Sequence, residues 1–310
     1  MSFSTSKILR TPEQQFQNLA DFDYEPNYLT VNGMRIHYLD EGPRDSEITV
    51  MLLHGQPSWS YLYRHMIPLL VQHYRVIAFD FIGFGRSDKY ASVSDYSVQL
   101  HVDTLESVVE QLQLEQISLV MQDWGGPTGL LYLERQPQKV HSIVLMNTLL
   151  AHSGYLQWWP LSNWRNNATF LAYRWMTRFT DFKLSAIFQS STVKKLSREE
   201  MAGYYAPFPD QSYQAAARAW PSLVPIHRSN KDLPAMRKAW QFLASWEQPV
   251  LIMFSDQDPF TRCWGPNFSQ QLPAQNQTQV EIKDAGHFLQ EDQGPQLALH
   301  IVEFLQAQKG

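Results

Sequence analysis

A chain of 310 residues with 44% hydrophobic residues is long enough for one large globular domain, or for a core that carries an inserted module. Its net charge of −5 gives no reason to expect a nucleic acid or an anionic membrane as partner, and no apolar run of about eighteen residues predicts a membrane span. The single cysteine, Cys263, excludes an internal disulfide and a cysteine-based metal cluster. Residues 1–11 lack the pattern of a secretory signal, so we expect a cytoplasmic protein.

Short apolar segments with the character of buried strands recur along the chain. Residues 28–39 predict two strands joined by an Asn-Gly turn at Asn32 and Gly33. Later apolar runs do not alternate with polar residues, which suggests strands covered on both faces, as in a parallel sheet. These runs end at Leu53, Phe79, Met121, Met146, Phe254 and Ile282.

Helical patterns lie between these runs. Apolar residues at helical spacing from Val98 to Leu112 predict a helix with one covered face. The alternation of strands and helices predicts an open, doubly wound, mostly parallel α/β sheet with helices on its flanks.

The alternation stops between residues 152 and 226, where aromatic residues and helix-like segments replace the apolar runs. Ser197 and Glu200 have the spacing of a capping box, which marks the start of a helix. We therefore predict a core formed by residues 1–151 and 227–310, with a helical cap at 152–226 over the carboxyl ends of the strands. Open α/β sheets bind their ligands at those ends.

The segment from Ile117 to Leu133 predicts a strand, a sharp turn and a helix, with Asp123 at the turn and Gly125 and Gly126 after it. This is the arrangement of a nucleophile elbow with aspartate in place of serine. The glycines suit a tight turn, whereas Met121, two residues before Asp123, is bulkier than the usual residue there. Taken alone, Asp123 could equally be a helix cap.

Other segments that follow predicted strands support the nucleophile. His54-Gly55-Gln56-Pro57 predicts an oxyanion hole built from the backbone N–H groups of Gln56 and Trp124. The glycine-containing loop from Asp80 to Ser87 is interpreted as a structural turn.

A histidine and an acid follow the last two predicted strands, in the chain order of α/β-hydrolase enzymes. His287 lies in the segment Asp284–Phe288 and is the predicted base. The acid is Asp256 or Asp258, between which spacing does not choose. Asn147 occupies the other possible acid position, which favours the later location.

An aspartate nucleophile implies chemistry at saturated carbon. A carboxylate is ionised at neutral pH and can displace a leaving group without a base, forming an ester. The histidine then activates water to hydrolyse that ester, and the acid orients the imidazole. Esterase, lipase and peptidase activities are therefore disfavoured.

Nearly the whole chain resembles the haloalkane dehalogenases, of the subfamily that holds the halide with two tryptophans. QDWGG and APFPD are the specific motifs, whereas HGxP and DxxGxGxS are shared by much of the superfamily. The resemblance rests on HYLDEG, HGQPSWSYLYRHMIPLL, DFIGFGRSDK, LVMQDWGGPTGL, YYAPFPDQSYQAAAR and DAGHFLQE.

The resemblance implies an α/β-hydrolase fold with an eight-stranded sheet and an inserted cap, and it assigns roles residue by residue. Asp123 is the nucleophile, His287 the base and Asp258 the partner of the histidine. The indole N–H of Trp124 would bind the departing halide. A second tryptophan from the cap would do the same: Trp164 is preferred, with Trp175 and Tyr173 as alternatives.

The predicted function is hydrolysis of a small haloalkane to a primary alcohol, halide and a proton, with water as co-substrate and no metal or organic cofactor. A monomer without nucleic-acid or membrane partners is expected. The nearest alternative is an epoxide hydrolase, whose two cap tyrosines would come from Tyr155, Tyr173, Tyr204, Tyr205 and Tyr213. The second alternative is a non-catalytic binding protein of this fold. Such proteins usually lose part of the triad, whereas the triad is complete here.

Overall fold

The computed structural model describes residues 7–152, 171–172, 175, 184–225 and 227–308. The strands of this part of the chain are β1 (Ile8–Leu9), β2 (Asn27–Val31), β3 (Met34–Glu41), β4 (Thr49–Leu53), β5 (Arg75–Phe79), β6 (Lys89–Tyr90), β7 (Ile117–Asp123), β8 (Val140–Thr148), β9 (Val250–Ser255) and β10 (Gln277–Ile282). Its helices are α1 (Ile67–Leu70), α2 (Val98–Gln111), α3 (Gly125–Arg135), α4 (Leu184–Ser190), α5 (Arg198–Tyr205), α6 (Ala215–Leu223), α7 (Leu233–Leu243), α8 (Trp264–Gln271) and α9 (Leu289–Gln306).

Eight of the strands form one sheet in the order β10-β9-β8-β7-β4-β5-β3-β2. The strands from β10 to β5 are parallel, while β3 and β2 continue the sheet in antiparallel pairing. The hairpin between β2 and β3 turns at Asn32 and Gly33, both with positive φ, as the Asn-Gly pattern predicts. The predicted mostly parallel sheet is confirmed.

The central strands are buried on both faces, and most of their side chains are apolar. Val50, Met51, Leu52 and Leu53 of β4 are fully buried. Helix α2 begins after Ser97, whose hydroxyl accepts a hydrogen bond from the backbone N–H of Leu100 and so caps the helix. The helix packs its apolar face on the core, as its spacing predicts.

Strands β7 and β8 each extend two residues beyond the predicted ends at Met121 and Met146. The added residues include polar ones, which interrupt the apolar run although the parallel pairing continues to Asp123 and Thr148. The carboxyl ends of neighbouring strands consequently meet at one edge of the sheet.

Between β8 and β9 the described residues form helices and no strand. Helix α5 begins with the predicted capping box, in which Ser197 and Glu200 exchange hydrogen bonds between side chain and backbone. The boundaries of the cap at 152 and 226 stay a prediction. None of the helices in the described ranges combines the length and apolar character needed to cross a bilayer.

Candidate active site

Asp123 ends β7 in a strained backbone conformation. Its φ of 48° lies in the left-handed region, which non-glycine residues rarely adopt. Helix α3 starts two residues later, and a Cβ at Gly125 would overlap the carbonyl group of Leu53 on β4. The sharp strand-to-helix turn therefore needs glycine at position 125, and it presents Asp123 at the edge of the sheet.

The bulk of Met121 is accommodated by Gly129, one helical turn into α3. A Cβ at Gly129 would overlap the sulfur of Met121, and Met121 itself is fully buried. A large residue on the strand is thus matched by the smallest residue on the facing helix, which lets the two elements pack closely.

The Asp123 carboxylate faces the loop that follows β4. Its Oδ1 accepts a hydrogen bond of 2.8 Å from the backbone N–H of Gln56. A Cβ at Gly55 would overlap the Asp123 side chain, so glycine there makes the close approach of this loop feasible. The backbone carbonyl of Asp123 accepts a 2.6 Å hydrogen bond from the hydroxyl of Thr148, which ties the turn to β8.

His287 lies between the two carboxylates that sequence reasoning assigned to it. Its Nε2 is 3.3 Å from Asp123 Oδ2, and its Nδ1 is 3.1 Å from Asp258 Oδ2. The histidine is only 5% exposed, so both interactions occur away from bulk water. The structure therefore brings the predicted nucleophile, base and acid into one chain of contacts.

The structure distinguishes the two candidate acids in the loop after β9. Asp258 is buried and, besides contacting His287, accepts hydrogen bonds from the backbone N–H groups of Phe260 and Thr261 and from the Thr261 hydroxyl. The side chain of Asp256 instead accepts a hydrogen bond from the backbone N–H of Ala285. Asp258 is the one of the two that reaches the imidazole.

The two carboxylates raise the pKa of His287. Burial lowers the pKa of His287, but the nearby charges of Asp258 and Asp123 outweigh it and raise the pKa to about 10. Burial raises the pKa of Asp258, and the His287 imidazole together with hydrogen bonds from Thr261 and Phe260 brings it below its usual value. Both neighbouring carboxylates therefore favour the charged form of the His287 imidazole.

The backbone around His287 is held by residues for which sequence reasoning found no role in the site. Asn147 Nδ2 donates to the carbonyl groups of Gly286 and His287, at 2.9 and 3.2 Å. Ser255 Oγ donates to the Gly286 carbonyl at 2.7 Å, and Gln122 Nε2 to the His287 carbonyl at 3.3 Å. Their positions at the carboxyl ends of β8, β9 and β7 were the available signal, but polar residues at strand ends do not reveal their partners.

Aromatic residues pack behind the site. Trp124 is 7% exposed, and its ring centroid lies 5.6 Å from that of the fully buried Trp220 on α6. The Trp220 indole N–H donates a hydrogen bond to Nε2 of His101. Burial lowers the pKa of His101 to about 3, so its ring accepts this hydrogen bond as a neutral imidazole. This hydrogen bond fixes the orientation of the indole that contacts Trp124.

The predicted second halide ligand, Trp164, and its alternative Tyr173 lie outside the described residues. Trp175, the other alternative, belongs to a helical segment and is 59% exposed. The Gln56 side chain donates from Nε2 to the carbonyl of Ala217 on α6.

One cluster among the described residues has the donor atoms of a metal site. Donor atoms of His65, Glu200 and Glu291 lie within 4.8 Å of one another. Arg64 and Lys194, however, each form ion pairs with both glutamates. Because two cationic side chains already balance the carboxylates, the cluster fits a buried ion-pair network better than a metal site.

The amino-acid sequence is similar to those of known proteins over nearly its whole length. The model of the alpha/beta hydrolase fold family matches residues 48–293, which is most of the chain. The chain is also 42% identical to a haloalkane dehalogenase of Psychrobacter cryohalolentis, over 96% of this chain and 98% of the relative. A haloalkane dehalogenase of Mycolicibacterium paratuberculosis is 42% identical over 97% of this chain and 99% of its own. The chain belongs to the haloalkane dehalogenases.

Similarity to solved structures agrees with this family. The tetrameric structure of a haloalkane dehalogenase from Paraglaciecola agarilytica superposes with a TM-score of 0.84 at 30% identity, covering 95% of this chain and 97% of the other.

Proposed function

We propose that this protein hydrolyses haloalkanes to an alcohol, a halide ion and a proton, through an ester formed on Asp123. The observation that carries the proposal is the chain of contacts at the sheet edge. One Asp123 oxygen accepts the Gln56 N–H, the other faces His287, and His287 contacts Asp258. The family to which the chain belongs supports the same chemistry.

In the first step, Asp123 Oδ2 attacks the carbon that bears the halogen. The new C–O bond forms as the carbon–halogen bond breaks, and the halide leaves with the bonding electrons. The indole N–H of Trp124 binds the departing halide, because a neutral donor in an apolar wall stabilises an anion without holding it as tightly as a cation would. Trp164 supplies the second N–H in this proposal.

In the second step, His287 Nε2 takes a proton from water, and the resulting hydroxide adds to the ester carbonyl of Asp123. The negative charge develops on Oδ1, where the backbone N–H groups of Gln56 and Trp124 stabilise it. The bond between the carbonyl carbon and the alcohol oxygen then breaks, and the leaving oxygen takes the proton from His287. The new carboxylic acid loses the second proton of the water to solvent, which restores the Asp123 carboxylate. Ester formation removes the Asp123 charge that raises the pKa of His287, so alkylation itself favours the neutral base.

Epoxide hydrolysis is the weaker alternative, because it needs free cap tyrosines as proton donors. Tyr204 is fully buried and donates its hydroxyl to Glu291. Burial raises the pKa of Tyr204 well above 10, and the Glu291 charge adds to this, so it is a poor acid. Tyr155 and Tyr173 lie outside the described residues, and Tyr205 and Tyr213 are half-buried.

The test is halide release from 1,2-dibromoethane and 1-bromobutane at slightly alkaline pH, with diol formation from styrene oxide in parallel. Asp123→Ala should release less than about 1% as much halide as the native protein, since the nucleophile is lost. Asp103→Ala, on the outer face of α2, is the matched control and should retain native activity. Diol formation without halide release would replace the proposal with the epoxide alternative.

The assembly and setting of the protein need separate measurements. The monomeric state and the cytoplasmic setting stay predictions, and the Paraglaciecola agarilytica structure is described as tetrameric. Size-exclusion chromatography with light scattering measures the mass of the assembly directly and decides between one chain and several.

A further inference from the structure

Asp292, in the first turn of α9, joins two distant segments through backbone hydrogen bonds. Its Oδ2 accepts from the N–H of Gly286 at 2.9 Å and from the N–H of Val193 at 3.0 Å. Its Oδ1 accepts from the N–H of Lys194, also at 3.0 Å. A single carboxylate thus binds the residue before His287 and the segment that follows α4.

A second contact holds the same segment against the loop of the histidine. The N–H of Phe288 donates to the Ser191 carbonyl at 2.7 Å. A Cβ at Gly286 would lie only 2.7 Å from that carbonyl oxygen, so the backbones at Gly286 and Ser191 are in close contact next to His287. Residues 191–194, which we call the docking segment, therefore flank His287 through Gly286 on one side and Phe288 on the other.

We propose that Asp292 is a positioning residue that holds His287 in place for ester hydrolysis by fastening the docking segment to the loop of the histidine. The inference rests on the proposed function and adds to it. Asp123 is positioned by β7, the elbow and the Gln56 N–H, whereas the hydrogen bonds of Asp292 go to Val193, Lys194 and Gly286, so we expect alkylation not to depend on this carboxylate. Hydrolysis does, because general-base catalysis needs Nε2 within hydrogen-bond reach of the attacking water.

The variant that separates the two steps is Asp292→Asn. Asparagine keeps the size of the side chain but has one acceptor oxygen, and its NH2 group would face backbone donors. We expect the rate of ester hydrolysis to fall about tenfold, since small displacements of a catalytic group cost rate steeply. The halide burst in rapid-quench experiments should change by less than about twofold, and alkylated Asp123 should accumulate in the mass spectrum. Asp284→Asn, the same change at an exposed residue two positions before Gly286, should match the native enzyme.

Two results would overturn the inference alone: native rates for both steps in Asp292→Asn, or an equal fall in both steps accompanied by a lower Tm. The second result would mean that Asp292 only stabilises the fold. A native protein that releases neither halide nor alcohol would instead overturn the proposed function, and the inference with it.

Hydrogen exchange tests the inference without activity and without the variant. In the native protein the amides of Gly286, Val193 and Lys194 should be protected together, because one carboxylate accepts from all three. Fast exchange at Gly286 beside protected neighbours would contradict the proposed role of Asp292, even if Asp292→Asn does not fold.

Discussion

Asp123 and His287, the proposed nucleophile and base, are held in different ways. The nucleophile elbow, residues 121–129, is one continuous stretch whose geometry follows from a strand, three glycines and a helix. The histidine loop, residues 285–288, has little regular structure of its own. It is held by side chains from the ends of three strands, by Asp292 and by the docking segment.

The difference matters for chemistry because the two residues have different tasks in the proposed mechanism. Asp123 needs a fixed trajectory toward carbon, which a strained elbow provides. His287 needs a controlled charge and a fixed distance to water, and both come from groups brought together by the tertiary structure. We therefore expect substitutions in the elbow to act on alkylation or folding, and substitutions around the loop to act on hydrolysis.

The largest expected effect in this comparison is a complete split of the two steps. His287→Gln should release about one equivalent of halide and then stop, because alkylation needs no base and hydrolysis does. Mass spectrometry of the variant after reaction with 1-bromobutane should find a butyl ester on Asp123. An unmodified Asp123 peptide after a complete halide burst would show that the elbow and the loop do not divide the reaction.

A smaller effect is expected when the acid is changed and the base is kept. Asp258→Asn should slow ester hydrolysis by about a hundredfold or more, because the imidazole loses the carboxylate that orients it and supports its charge. The same change at Asp256, whose side chain binds the Ala285 N–H, should cost less than about threefold. Similar losses in the two variants, measured by steady-state alcohol formation, would remove the distinction between the two acids.

The smallest expected effect is that of a substitution in the nucleophile elbow on the free energy of unfolding. Gly129→Ala should lower the free energy of unfolding by about 1–3 kcal/mol, because its Cβ would overlap the Met121 sulfur. In the double variant with Met121→Ala the loss should be about 1 kcal/mol smaller than the sum of the two single losses. Urea unfolding of the four proteins measures this coupling, and strict additivity would mean that the two residues do not compensate each other.

The same contrast explains how much could be predicted from the sequence. The sheet, the Asn-Gly hairpin and the elbow depend on local patterns, so their residues were identifiable in advance. The apolar run predicts an end of the strand at Met121, whereas β7 continues to Asp123, because Gln122 and Asp123 are polar but still pair with β8.

The surroundings of His287 could not be predicted in the same way. The sequence marks Asn147 only as the other possible position of the acid, because its hydrogen bonds to the histidine loop depend on the pairing of β8 with its neighbours. Asp292 follows the HFLQE motif without any signal that Val193 and Lys194, about a hundred residues earlier, bind it. Spacing did not choose between Asp256 and Asp258 because both follow the same strand.

A single turnover in water labelled with ¹⁸O tests the ester on Asp123 most directly. With enzyme in excess over 1-bromobutane, the alcohol oxygen should come from the carboxylate, so the butanol should be unlabelled. A fraction of the peptide that contains Asp123, equal to the fraction of enzyme that reacted, should gain about 2 Da, because the water oxygen remains in the carboxylate. Labelled butanol together with an unlabelled Asp123 peptide would mean that water attacks the substrate directly, and the covalent mechanism would be wrong.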